Sequence, residues 1–337
     1  MGVCANAHEP TTQSAAVKNR TRITEVSVQD KPTRRLAYEP FHLKSQSKLQ
    51  AMKDLVIQGP TLSSEALDTF KVVCMPERIT LNKRAARCIA VRDDAETRKA
   101  VQGLSDFWKL DNAFVDPKLR LPGFCLLALD MDSTLVNIET LDEVAAYAGK
   151  GEQVAAITES AMRGEVDYKE SLRRRVAMLA GVEAALLARV HDEKLAFNDG
   201  AQRLISECQR AGLKTLLATG GFTFFTERVK VKLNIDYTRS NELEIIDGRL
   251  TGTVTGSKGG EIIDAEGKAQ AVRDVCAEIG CATAKAIVIG DGANDLKMMQ
   301  LAGISVAYRA KPIVRAQTTY ALDHSALDGV LNWFVSE

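Results

Sequence analysis

The chain has 337 residues, 45% hydrophobic and 26% charged, enough apolar material for one large domain and a smaller one. Its 44 Lys+Arg balance its 44 Asp+Glu, so there is no basic excess for a nucleic-acid backbone, and 5% aromatics offer little base-stacking surface. No apolar run is long enough to span a membrane, and the N-terminus has no signal-peptide apolar region.

Residues 1–48 are rich in Thr, Ser, Gln, Lys and Arg without apolar periodicity, which predicts a disordered N-terminal extension. Glu9, Glu25 and Asp30 oppose a transit peptide, and Asn6 breaks the myristoylation pattern that Met1-Gly2 begins. Residues 49–118 pattern as a small α+β domain. Strands are expected at Asp54-Leu-Val-Ile and at 87–92, helices at 63–71 and from 95 to about 108. Pro117 and Pro122 then punctuate a linker.

From 119 to 337 the pattern is that of a doubly wound, mostly parallel α/β sheet. The apolar run 124–129 reads as a strand buried on both faces. Residues 139–198 are almost wholly helical in pattern and predict a helical cap inserted after that strand. Next come helix 200–211, strand 214–218, helix 223–233 and a hairpin turning at Asp247-Gly248. Helix 267–280, strand 286–289, helix 294–302, strand 304–307 and a last helix near 325–335 complete the series. The seven cysteines include no Cys-x-x-Cys, so a reducing compartment is expected, with Cys125 a small core residue.

In an open α/β sheet, ligands bind beyond the carboxyl ends of the strands. Three strand ends here carry chemistry. The first is followed by Asp130-Met-Asp132-Ser-Thr, two carboxylates one residue apart that suit a hard divalent cation. The second is followed by Thr219-Gly220-Gly221, a hydroxyl and backbone N–H groups able to receive an anion. The third is followed by Gly290-Asp291-Gly-Ala-Asn294-Asp295, and Lys268 opens the helix before it. None of the four histidines falls in such a motif, against a histidine phosphatase or zinc hydrolase.

Asp-x-Asp-x-Thr, Thr-Gly, Lys and Gly-Asp-Gly-x-Asn-Asp, in that order, resemble the haloacid dehalogenase (HAD) superfamily of phosphohydrolases. The resemblance covers about residues 120–335. Within it, Asp130 to Glu139, Ala161 to Tyr168, Ser171 to Val176, Thr219-Gly-Gly-Phe and Glu242 to Gly252 resemble the phosphoserine phosphatases. Thr219 stands where that family commonly has Ser, and Tyr168 where it often has Phe.

The resemblance implies a HAD-like core and a Mg²⁺-dependent phosphomonoester hydrolase acting on O-phospho-L-serine, at the last step of serine biosynthesis in the cytoplasm. It implies Asp130 as nucleophile and Asp132 as general acid/base. It places Mg²⁺ on Asp130, the Asp132 carbonyl and Asp291, with Asp295 behind them. Substrate contacts would come from Glu139, Met162, Tyr168, Arg175, Thr219, Gly220, Lys268 and Asn294. By position, residues 49–118 resemble a regulatory ferredoxin-like or ACT-like domain. A homodimer, another small phosphorylated amino acid or alcohol as substrate, a phosphotransferase, and a non-catalytic amino-acid sensor stay open.

Overall fold

The computed structural model describes residues 52–82 and 84–335, so the expectation for residues 1–48 falls outside the described residues. Residues 52–115 run β1 (Met52–Gln58), α1 (Ser64–Cys74), β2 (Arg78–Asn82), β3 (Ala85–Arg92), α2 (Ala95–Trp108) and β4 (Asp111–Val115). Their sheet is antiparallel in the order β2-β3-β1-β4, the ferredoxin-like arrangement. Ser63 and Asp94 start the two helices by accepting the N–H groups of Ala66 and Thr97 at 3.1 and 2.8 Å.

Strand alternation sorts this sheet's side chains onto two faces. Leu55, Ile57 and Phe114 pack with Phe70 of α1 and Val101 of α2. Val56, Ala113 and Val115 join the core of the larger α/β layer instead. Polar ties reinforce that junction. The Asp111 carboxylate accepts N–H groups from Asp323, His324 and Ser325, at 2.8, 3.2 and 2.7 Å. Arg87 pairs with Asp54 at 2.9 Å and donates to the carbonyls of Asn332 and Trp333 at 3.1 and 2.6 Å.

The larger layer begins with β5 (Leu126–Leu129). The inserted helices follow: α3 (Thr140–Tyr147), α4 (Gly151–Met162), α5 (Tyr168–Ala177) and α6 (Ala185–Glu193). The chain returns through α7 (Ala201–Arg210), β6 (Lys214–Phe222), α8 (Thr223–Leu233), β7 (Tyr237–Ile246) and β8 (Arg249–Gly256). It ends with α9 (Ala265–Glu278), β9 (Ala286–Gly290), α10 (Leu296–Met299), β10 (Ile304–Tyr308), α11 (Pro312–Arg315) and β11 (Tyr320–Leu322).

The seven strands lie in the order β11-β10-β9-β5-β6-β7-β8, parallel except for the β7–β8 hairpin. Each residue of β5 is fully buried. Leu127 and Leu129 face the core shared with α7 and α8, while Leu126 and Ala128 face α9 and α10. Truncating a leucine so placed typically costs about 2–5 kcal/mol. Because β5 is flanked by β9 and β6, the loops after all three strands open on one side of the sheet.

Two expectations are corrected here. The last helix is only a seven-residue 3₁₀ turn, Leu327–Trp333, in which Gly329 lies close against the Gln58 side chain. Cys125 is not a core residue. It is half-buried and disulfide-bonded to Cys281, because the start of β5 lies beside the connection from α9 to β9. No helix among the described residues is long and apolar enough to cross a membrane.

Candidate active site

The loop after β5 turns sharply, with Ser133 at φ 56°. Ser133 Oγ donates to Glu139 at 2.6 Å, and Asn198 ties the loop from below. Its Nδ2 donates to the carbonyls of Thr134 and Val136 at 2.8 and 3.1 Å, with a longer contact to Ser133 at 3.4 Å. Asp130 thereby stands at the strand end with 5% of its surface exposed. Asp132 turns toward the start of α3, where it accepts the N–H and hydroxyl of Thr140 at 3.3 and 3.2 Å.

The loop after β9 lies alongside. Thr134 donates its hydroxyl to Asp291 at 2.7 Å, joining the two acidic loops. Asp295 folds back beneath the strand and accepts the Gly292 N–H at 3.0 Å. Only glycine fits at 290, since a Cβ there would collide with the Asp295 carboxylate. Oxygens of Asp130, Asp291 and Asp295 lie within 4.8 Å of one another.

One cation enters this acidic group. Asp264 caps α9 by accepting the N–H groups of Glu266 and Gly267, and this places Lys268 in the first turn, 1% exposed. Its ammonium lies 2.8 Å from Asp130 and 2.7 Å from Asp295. Burial works against that charge, but Asp130 and Asp295 outweigh it and hold Lys268 protonated well above its usual range.

The carboxylates shift upward. Burial and Asp295 push Asp130 to about 7, with Lys268 partly opposing them. Burial pushes Asp291 to about 6. Burial, Glu139 and Asp130 together raise the Asp132 carboxyl well above the ordinary range, which favours its protonated form. Glu139 is raised as well, chiefly by burial. Three clustered carboxylates facing one ammonium form an oxygen-donor set suited to a hard divalent cation.

Thr219 and Gly220 lie in the closing stretch of β6. The Thr219 hydroxyl accepts the Gly221 N–H at 2.9 Å. Asn241 fastens this turn to the segment before α9. It donates to the Gly220 carbonyl and accepts the Ile263 N–H, each at 2.8 Å. Across the opening, Tyr168 begins α5, and its hydroxyl occupies the space that a side chain at Gly220 would need. Burial pushes that phenol to about 12.

Within the Arg173-Arg174-Arg175 run, the first two are exposed while Arg175 turns inward, its Nε buried without a partner among the described residues. Met162 lines the opening with 67% of its surface exposed. These groups share one cavity of about 430 Å³. It is lined by Asp130, Asp132, Glu139, Met162, Tyr168, Arg175, Thr219, Gly220, Lys268, Asp291 and Asn294. Of the expected site residues, only Asp295 sits behind the wall. Asn198, Asn241 and Lys311, which also lines the cavity, carried no motif to find them by.

A family model described as haloacid dehalogenase-like hydrolase matches residues 127–300. The phosphoserine phosphatase of Polaromonas sp. is 54% identical over 216 residues, which span 64% of this chain and 92% of its own. Among solved structures, a HAD family hydrolase from Salmonella enterica serovar Typhi superposes with TM-score 0.75 at 29% identity. It covers 85% of this chain and 100% of that one. A probable phosphoserine phosphatase from Vibrio cholerae gives TM-score 0.72 at 33% identity, covering 83% of this chain and 86% of its own.

Proposed function

Since this chain belongs to the haloacid dehalogenase-like hydrolases, and among them to the phosphoserine phosphatase family, we propose that it hydrolyses O-phospho-L-serine to L-serine and phosphate through an aspartyl phosphate on Asp130. The observation that carries this reading is the shared cavity. A buried carboxylate at a strand end, a second carboxyl whose burial favours its protonated form, a buried lysine and an inward arginine all open onto the same 430 Å³.

In the first step an Asp130 oxygen forms a bond to phosphorus as the bond from phosphorus to the serine oxygen breaks. Asp132, whose buried setting favours the protonated form, gives its proton to that leaving oxygen. In the second step Asp132 takes a proton from the water that attacks the aspartyl phosphate, and Asp130 leaves. Thr219, the Gly220 N–H, Asn294 and Lys268 hold the phosphoryl oxygens, whose charge is the main demand of such a transfer.

The amino-acid end needs its own partners. Glu139 would receive the ammonium and Arg175 the carboxylate, the latter through its guanidinium fork. Met162 and Tyr168 would exclude water from above. A divalent cation, Mg²⁺ by family, would be held by the carboxylates of Asp130 and Asp291 and the Asp132 carbonyl, with Asp295 oriented behind by Lys268. Bound there, the ion would keep Asp130 ionised and offset phosphoryl charge.

The product would be the end of serine biosynthesis, in the cytoplasm. We further propose that the division near residue 118 separates the phosphatase from a small regulatory domain. Phosphate release from O-phosphoserine, with Mg²⁺ and with a chelator, tests the reading. Wild-type protein should release phosphate only with the metal, and Asp130→Asn should release none while still folded. Unimpaired release by a sequence-verified Asp130→Asn protein would remove Asp130 as nucleophile.

A further inference from the structure

A second cleft, of about 490 Å³, lies where the small sheet meets the larger layer, beside the carboxyl ends of β10 and β11 and apart from the cavity above. Three separate elements bring cations to it. Arg84 comes from the turn between β2 and β3, Arg203 from the first turn of α7, and Arg309 from the residue after β10. Arg203 is paired with Asp328 at 2.8 Å. Among the described residues, the Arg84 and Arg309 guanidiniums have no carboxylate partner.

Two further observations point to a ligand. Ser325 lines the cleft and is 6% exposed, yet its hydroxyl has no hydrogen-bond partner among the described residues. An unmet buried polar group of this kind costs about 1–3 kcal/mol. Arg309 is held at φ 48°, an unusual backbone for a long side chain, with its N–H bonded to the Leu322 carbonyl at 2.8 Å. Such conformations persist where the surroundings enforce them, commonly at binding sites.

We propose that this cleft binds a small oxyanion, a carboxylate or a phosphate, held between Arg84 of the small sheet and Arg309 of the larger layer, with the unpaired Ser325 hydroxyl set in the wall beside them. Planar guanidiniums match both anion types through paired N–H groups. Asp199 also lines the cleft, so a ligand with a donor group beside its acid would gain a further contact there. The bound anion bridges the two layers, adding to the tie already made by Asn332 and Gln58 at 2.6 Å.

Calorimetric titration of the full chain with sulfate and with malate tests this, the two probes separating a phosphate-like from a carboxylate ligand. Saturable binding of at least one is expected, and it should persist in Arg175→Ala, which alters only the first cavity. Arg84→Ala and Arg309→Ala should each weaken it roughly tenfold or more. Arg84→Lys and Arg309→Lys, which keep charge and fold, should weaken it less. In the absence of either anion, all four cleft variants should release phosphate from O-phosphoserine as wild type does. Failure of both probes to saturate would overturn the proposal. So would affinity unchanged by the two alanine variants, or affinity abolished by Arg175→Ala.

Discussion

The Lys268 ammonium lies 2.8 Å from the Asp130 carboxylate, with the two residues 1% and 5% exposed. Removing one member of a buried pair leaves the other charged and unsolvated, at a cost of about 3–5 kcal/mol. Lys268→Met should therefore lower both stability and activity, the latter by about 10²–10³ in kcat/KM if the lysine also holds phosphoryl oxygens. Acid should spare part of the stability loss, because protonating Asp130 removes the uncompensated charge. Melting temperatures at pH 5.5 and pH 8 check this, and an equal loss at both would contradict it.

The raised carboxyls fix the direction of two pH effects. Asp130 titrates at about 7 and Asp291 at about 6 in the metal-free protein, against about 3.9 for an unfolded aspartate. Between those values the folded chain holds more protons than the unfolded one. Their contribution to metal-free stability is complete below about pH 4 and is lost as pH rises through 6 to 7. Mg²⁺ must displace the same protons, so its affinity should climb across that window. Mg²⁺ titrations at pH 5.5 and pH 8 should show tighter binding at the higher value, and Asp291→Asn should weaken binding at both.

Asn198 is a positioning residue. Its amide holds the Thr134 and Val136 carbonyls at 2.8 and 3.1 Å, shaping the loop that carries Asp132. Asn198→Ala leaves two carbonyls without that donor, a loss of about 1–3 kcal/mol. A displacement near 1 Å of reacting groups can cost about 100-fold in rate, so kcat should fall more than KM rises. A rise in KM at constant kcat would mean that Asn198 acts on binding alone.

Cys125 and Cys281 join the start of β5 to the loop before β9 across 156 residues. Closing so long a loop restricts the unfolded chain, by roughly 4–5 kcal/mol in the chain-entropy description. Oxidised wild-type protein should melt at a higher temperature than reduced protein, and Cys125→Ser should abolish the difference. A reductant effect that survives in Cys125→Ser would locate it elsewhere.

The sequence pattern foretold most of the α/β core because its strands are apolar on both faces and its loops carry charge at the strand ends. Leu126 to Leu129 and the Asp130, Thr219 and Asp291 turns are examples, and the cavity gathers them as expected. Strands β2 and β4 left no such signal. β2 is largely exposed, and β4 packs its alternate residues against two different cores. Asn198 and Asn241 were invisible for another reason. Each works through hydrogen bonds to backbone far along the chain, which no local spacing encodes. Cys125 and Cys281 likewise meet only through the sheet.

The central claim is that the cavity is built around an amino acid bearing a phosphate. It is tested most directly by kcat/KM for O-phosphoserine and phosphoethanolamine, measured on wild type and Arg175→Ala. Phosphoethanolamine lacks the carboxylate assigned to Arg175, whose buried Nε has no partner among the described residues. Leaving a charged partner unpaired in a closed site typically costs about 2–5 kcal/mol. Wild-type protein should therefore prefer phosphoserine strongly, and Arg175→Ala should erase most of that preference while changing phosphoethanolamine turnover little. If the variant keeps the wild-type ratio between the two substrates, Arg175 does not read a carboxylate and the phosphoserine pocket described above is wrong.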